Sequence, residues 1–266
     1  MFARAVSDDE IDSAILTYRE QGYAVLPGVA SEGTLTALRE RATAIARGEL
    51  RYPGLFFQPD APSGRYEDLA FGQGWLGPDT NYRKIEKLEL DPLFRAWIEN
   101  AVFARIVRRV IHGPVSIYRA AMFWKAARVG SELPWHQDGG RFWGLNRDPE
   151  LQLWTAFDDA SRQAGCLEVL PGSHKAGIAT PLGGVVPQPK VDAANADANA
   201  VALPARAGDV VLLHNHLWHR SGPNWSDSPR RGLTICYMDG AIRCTRTKRA
   251  PRRFVRVFEG DPVQAR

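Results

Sequence analysis

The segment PWHQDGG, Pro134 to Gly140, sets an imidazole and a carboxylate two positions apart, after a tryptophan and before two glycines. On an extended strand, residues i and i+2 face the same way, so His136 and Asp138 would stand side by side as two donors toward one metal ion. A third donor must come from elsewhere, and the candidates are His214, His216 and His219 in LLHNHLWHRSGPN. A lone histidine more often packs or faces solvent than binds a metal. Here a His-X-Asp pair and a later histidine cluster strengthen each other in a chain with only six histidines. Two imidazoles and one carboxylate with open coordination positions suit non-haem Fe(II) that activates O2. Zinc accepts the same ligands. Arg230 and Arg231 follow in SDSPRRGLTICYM, at the start of a strand-like run. Turned inward, one of them would offer the fork that the distal carboxylate of a keto-diacid needs; turned outward, it would simply be solvated.

The elements that must position these groups are legible in outline. SDDE at Ser7 is a capping-box pattern ahead of Ile11, Ala14, Ile15 and Tyr18 at helical spacing, and Gly22 closes that helix. YAVLPG then reads as a short strand. Ser31 to Gly48 is a second amphipathic helix with Leu35, Leu38, Ala42 and Ile45 on one face. Arg51 to Thr80 is rich in Gly, Pro and aromatics and predicts long loops over a site. Asp91-Pro92 is an N-cap and first-turn pair that predicts one helix running to about Ile111. From Val115 the texture changes to short apolar runs: VSIYRAAMFW, LQLWTAFD, CLEVL, DVVLLH and GLTICYM, separated by turn residues. Val191 to Ala200, poor in bulky apolar residues, predicts a flexible loop. The expected fold class is mainly β with flanking helices, an antiparallel jelly-roll core. One domain is expected over 1–266: a helical part about 8–112, a β core about 113–240 and a basic C-terminal tail 241–266.

With 44% hydrophobic and 24% charged residues, the composition is that of a soluble globular chain. No apolar run is long enough to span a bilayer, and the N-terminus lacks the apolar stretch of a signal peptide. Three scattered cysteines without metal-finger spacing fit reduced thiols, so a cytoplasmic protein is expected. The net charge is +4, and seven Lys/Arg lie between Arg243 and Arg256 with no acid until Glu259. That run is either a solvated tail or a rim that draws in an anionic substrate. Nucleic acid and membrane partners are not expected, because no recognised binding motif accompanies the charge. Nothing in the sequence chooses between monomer and homodimer.

The words QGYAVLPGV, PWHQD, LWTAFDDASRQAGCLEVLPGSH, AGDVVLLH and HRSGPNWSDSPRRG occur in order between about residue 8 and residue 240. In this they resemble the phytanoyl-CoA dioxygenase (PhyH) family of Fe(II)- and 2-oxoglutarate-dependent oxygenases. The resemblance implies a double-stranded β-helix, a jelly-roll, cupin-like fold. It makes His136, Asp138 and His219 the iron ligands and leaves His214 and His216 in structural roles. It also implies that Arg230, eleven residues after His219, and Ser221 hold the far carboxylate of 2-oxoglutarate. Trp154, Lys84 and Met122 are implied to line the cosubstrate site, with Ala121 as the rival to Met122. O2 is the other cosubstrate, and succinate and CO2 are the co-products. Halogenating relatives replace the metal-binding carboxylate by glycine or alanine, so the retained Asp138 implies a hydroxylase.

The substrate is expected to be a small metabolite or natural-product intermediate. GGRFWGLNRDPE after the metal pair puts Arg141, Phe142 and Trp143 forward as pocket residues. With Trp75 and the basic tail, they suggest an apolar molecule with an anionic or polar handle. Two other classes compete. A zinc-dependent hydrolase would need a general base and no inward arginine, and a non-catalytic jelly-roll binding module would use the basic tail without turnover.

Overall fold

The computed structural model describes residues 3–247 and 251–260. In chain order the elements are α1 (Asp8–Gln21), β1 (Tyr23–Leu26), α2 (Glu32–Ala46), β2 (Phe56–Pro59), β3 (Tyr82–Glu86), α3 (Pro92–Ile98) and α4 (Ala101–Arg108). Then follow β4 (Val115–Lys125), β5 (Leu133–Gln137), β6 (Leu151–Ala156), β7 (Leu167–Val169), β8 (Gly184–Val185) and α5 (Gln188–Ala193). The chain ends with β9 (Val201–Leu203), β10 (Val210–His214), β11 (His219–Ser221), β12 (Arg230–Asp239) and β13 (Val255–Phe258).

The strands form two antiparallel sheets, in a jelly roll. The larger runs β1-β10-β6-β12-β4-β3-β2, with β13 also on β4, and the smaller runs β8-β5-β11-β7-β9. Helices α1 to α4 cover the outer face of the large sheet, and alternation along each strand divides its side chains between two cores. Leu151, Leu153, Val210, Leu212, Leu233 and Ile235 pack with the helices. Trp154, Val211 and Leu213 turn the other way, toward Leu167 and Val169 of the small sheet. Strands covered on both faces explain why LQLW and DVVLL are almost continuously apolar, and the few polar residues that face the inner side belong to the site.

The sequence signals hold closely at the N-terminus. The Ser7 hydroxyl accepts from the Glu10 N–H at 3.1 Å, the Glu10 carboxylate accepts from the Ser7 N–H at 2.9 Å, and Gly22 ends α1 at φ 85°. Three expectations are corrected. The single helix from Pro92 is two, because the Asn100 side chain accepts from the Phe103 N–H at 3.0 Å and starts α4 afresh. Val191 to Ala200 is not a plain loop: Val191 and Ala196 are buried beside Trp135, and Asp197 accepts from the Trp135 indole at 2.9 Å. Two buried side chains and one hydrogen bond anchor the segment, so low bulk was misread as low order. The basic segment is not simply a tail. Residues 255–258 form β13 against β4, while Lys248, Arg249 and 261–266 lie outside the described residues. The part expected as helical also supplies β1, β2 and β3 to the large sheet. Among the described residues, no helix is long and apolar enough to cross a membrane.

Asp91 ties this helical layer together. Its fully buried carboxylate caps α3 by accepting from the Leu93 and Phe94 N–H groups at 2.9 and 3.1 Å, and it also accepts from the Tyr52 hydroxyl at 2.8 Å. Asp91→Ala removes the cap and leaves buried donors unpaired, so urea unfolding should show a loss of about 2–3 kcal/mol.

Candidate metal centre and its cavity

His136 on β5 and His219 on β11 are direct cross-strand partners, with ring centroids 3.9 Å apart. Each Nδ1 lies 2.9 Å from a backbone carbonyl that must accept, Pro134 O for His136 and Leu217 O for His219. This assigns the proton to Nδ1 and leaves both Nε2 lone pairs for a metal. Asp138 lies just beyond the end of β5, where its N–H donates to Asn215 O at 2.9 Å and its carbonyl accepts from the Asn215 amide at 2.8 Å. Its carboxylate accepts from Gln152 at 2.8 Å and from Arg119 at 3.3 Å. One donor atom from each of His136, Asp138 and His219 falls within a 4.8 Å cluster, and all three residues are buried. The residue between the first two points elsewhere. The Gln137 amide donates to Gly177 O and His216 O at 2.9 and 2.6 Å, tying the neighbouring loops to the strand. Gly140, at φ 82°, passes so close to Leu182 O and Gly183 that a Cβ would lie 2.7 Å from either.

Burial and the nearby His219 lower the His136 pKa well below the usual histidine value, so the imidazole is neutral at physiological pH. Burial alone would raise the Asp138 pKa, but the Arg119 guanidinium beside it, helped by the Gln152 hydrogen bond, outweighs this and keeps the carboxylate ionised. A neutral His136 imidazole and an ionised Asp138 carboxylate are protonation states that metal binding requires.

The triad opens into a narrow inner recess of about 50 Å3, and Arg230 lies among its lining residues. The Arg230 guanidinium is 5.7 Å from the Trp154 ring, and its Nε is buried without a hydrogen-bond partner. Burial brings its pKa down to about 10, so it stays charged at neutral pH. Arg231 instead clasps Asp158 through Nε and NH2, each at 2.8 Å. A buried cation with an unused donor fits a carboxylate, and the triad fits a divalent metal, so the residues present suit an iron ion with a keto-diacid. Ser221 and Trp154 line the same recess. Gly232 makes room for the Trp154 ring, since a Cβ there would lie 2.4 Å from it.

A sequence model of the phytanoyl-CoA dioxygenase family matches residues 18–232. The chain belongs to the phytanoyl-CoA dioxygenase (PhyH) family. It is 25% identical over 256 residues to phytanoyl-CoA dioxygenase 1 of Oryza sativa subsp. japonica, covering 86% of this chain and 89% of the relative. Among solved structures, the α-ketoglutarate-dependent carbocyclase SnoK from nogalamycin biosynthesis superposes with TM-score 0.67 at 23% identity, over 100% of this chain and 96% of its own. EctD from S. alaskensis, solved with 2-oxoglutarate and 5-hydroxyectoine, gives TM-score 0.71 at 18% identity, over 97% of this chain and 86% of its own. At these identities the likeness shows a common fold.

Other residues of this PhyH chain fall as follows. Lys84 lines not the inner recess but a wider outer cavity of about 470 Å3, where its ammonium pairs with Glu86 at 3.0 Å. Met122 is placed on the helix-packed face of β4 by strand alternation, opposite Leu233, whereas Ala121 pairs with Thr234, which lines the recess. Phe142 and Trp143 line the outer cavity, and Trp143 stacks on Tyr118 at 4.2 Å; Arg141 is exposed and is not part of the lining. Trp75 lies away from the site, under Arg51 at 4.2 Å. From the basic segment, Arg246 donates to Phe142 O at 2.7 Å and Arg252 lies over Tyr118 at 4.7 Å, so it buttresses the cavity wall.

Sequence reasoning missed Arg83, Arg119, Lys125 and Gln152. Strand parity would have found three of them: Arg119, Phe123 and Lys125 share a face of β4, and Gln152 shares one with Trp154 on β6. Lys125 donates to Ser131 O at 2.8 Å, to Ser221 O at 3.2 Å and to Gly222 O, joining the strand that carries His219 to the large sheet. Burial, with Arg230 and Arg83 nearby, pushes its pKa well below that of an ordinary lysine.

His214 and His216 stand apart from the triad. His216 Nε2 meets Asp148 at 2.9 Å, and the His214 ring is 4.9 Å from that of His174. Burial and the neighbouring His174 and His216 hold His214 at about 3. An unfolded chain takes up this proton below about pH 6.5 while the folded chain does not, so stability falls as pH drops from there toward 3. His214→Asn should lessen the loss of urea stability between pH 8 and pH 5 by about 1–2 kcal/mol.

Proposed function

We propose that this protein is a non-haem Fe(II)- and 2-oxoglutarate-dependent dioxygenase that hydroxylates a small metabolite or natural-product intermediate. One observation carries the reading: the His136–Asp138–His219 cluster shares a recess with Arg230, whose buried Nε has no partner. The iron- and 2-oxoglutarate-bound structures of the same fold support it; SnoN was solved with Fe3+, α-ketoglutarate and nogalamycin RO. Iron, when bound with 2-oxoglutarate, would let O2 act as the oxidant, one oxygen atom going to succinate as 2-oxoglutarate loses CO2 and the other to the C–H bond of the substrate.

The protein's own residues do the rest. His136 and His219 present their Nε2 atoms, each Nδ1 being engaged with a backbone carbonyl, and Asp138 offers one carboxylate oxygen while Arg119 and Gln152 orient the group. Arg230 and Ser221 hold the distal carboxylate of 2-oxoglutarate, and Trp154, Leu167 and Leu213 keep water from the recess. The retained Asp138 carboxylate supports oxygen insertion over halide transfer, since it fills a coordination position that halide would need. Against a zinc hydrolase stands the recess itself: among the described residues its lining includes no carboxylate other than Asp138 to act as general base.

Arg230→Ala should weaken 2-oxoglutarate binding by about 10- to 100-fold, as loss of a charged hydrogen-bond partner does. An anaerobic titration of the Fe(II) protein, followed by its visible charge-transfer band, measures this. Turnover of 2-oxoglutarate to succinate should vanish in His136→Ala and in Asp138→Ala. Unchanged 2-oxoglutarate affinity in Arg230→Ala would refute the assignment.

A further inference from the structure

Arg83 is 6% exposed, and no acid lies within ion-pair distance of it among the described residues. Among the described residues its guanidinium makes one hydrogen bond, to Gln58 Oε1 at 3.3 Å, and it lies 5.7 Å from the Tyr66 ring and 5.8 Å from that of Phe123. A break in register between β2 and β3 skips Arg83, with Gln58 opposite Lys84 and Pro59 opposite Tyr82. Such a bulge re-aims a side chain. As a result Arg83 and Lys84, adjacent in sequence, both line the outer cavity, and Arg83 lines the inner recess as well.

We propose that Arg83 is the receptor for an anionic group on the substrate, and that the substrate is a small molecule with a flat apolar body and a carboxylate or phosphate. This rests on the oxygenase reading above. Four cations line the inner recess, and three have work: Arg119 pairs with Asp138 and Glu86, Lys125 holds three backbone carbonyls, and Arg230 faces the cosubstrate. Both ends of 2-oxoglutarate are then engaged, one at the metal and one at Arg230, which leaves Arg83 for a further anion. The outer cavity supplies the apolar surface: Phe56, Tyr66, Phe71, Phe123, Phe142 and Trp143 line it. Phe71 and Phe142 are 87% and 63% exposed, which is an unfavourable state for aromatic rings that a flat ligand would relieve. Lys84 is held at 3.0 Å by Glu86, a carboxylate it shares with Arg119, so Arg83 is the cation with the weaker polar engagement.

The test uses the Fe(II)- and 2-oxoglutarate-loaded protein without O2 and two probe pairs, 2-naphthoate against 2-naphthamide and 1-naphthyl phosphate against 1-naphthol. Calorimetry should show at least one anion binding about 10- to 100-fold more tightly than its neutral analogue. Arg83→Met should abolish that preference, and Arg83→Lys should restore part of it. In the same Arg83→Met protein, 2-oxoglutarate affinity read from the charge-transfer band should stay within about threefold of wild type. Equal binding of anionic and neutral probes, or a preference that survives in Arg83→Met, overturns the proposal. So does a loss of 2-oxoglutarate affinity of about tenfold or more in Arg83→Met with displacement of 2-oxoglutarate by the probe, which would give Arg83 to the cosubstrate. A wild-type protein with no charge-transfer band would instead overturn the oxygenase reading itself.

Discussion

The antiparallel pairing of β5 with β11 sets His219 directly opposite His136, and the site depends on that register. Side chains alternate with a period of two, so a slip of one residue would turn one imidazole away from the other. β11 is three residues long, yet it is held on both sides, by β5 and by β7, and Lys125 binds the carbonyls of Ser221 and Gly222 at its end. Asp138 has no strand partner to place it, and Asn215 does that work through both of its backbone groups. The three donors are therefore positioned by main-chain geometry, before any metal arrives.

Charge is the second constraint. Arg83, Arg119, Lys125 and Arg230 line the inner recess against one carboxylate, that of Asp138. Burying unpaired cations is unfavourable, and the fold offsets this with carbonyl oxygens for Lys125 and aromatic faces for the arginines, Trp143 under Arg119, Trp154 under Arg230, and Tyr66 and Phe123 beside Arg83. A recess with this balance favours anionic occupants, and it keeps Asp138 ionised for a metal.

Much of this was legible in the amino-acid sequence because it is local. The His-X-Asp spacing, the capping box at Ser7 and the apolar runs of the core strands each speak within a few residues. The choice among three histidines and two arginines was not local: spacing left it open and only the family resemblance made it, and the structure separates Arg230 from Arg231 by giving the latter to Asp158. Met122 and Ala121 differ by one step of strand parity, which the loops before β4 obscure. Arg83 was invisible for a related reason, since a bulge defeats the alternation by which an inward residue is recognised. Asn100, and Val191 with Ala196 beside Trp135, show that short helices and turns answer to single caps and single anchoring contacts more than to hydrophobic periodicity.

The most direct test of the account is a crystal structure of the protein grown without O2 in the presence of Fe(II) and 2-oxoglutarate. The account predicts one metal ion bound by Nε2 of His136, Nε2 of His219 and a carboxylate oxygen of Asp138. The cosubstrate's distal carboxylate should lie within hydrogen-bond distance of Arg230 Nε and the Ser221 hydroxyl. A metal held by other residues, or a 2-oxoglutarate whose distal carboxylate avoids Arg230, would contradict it.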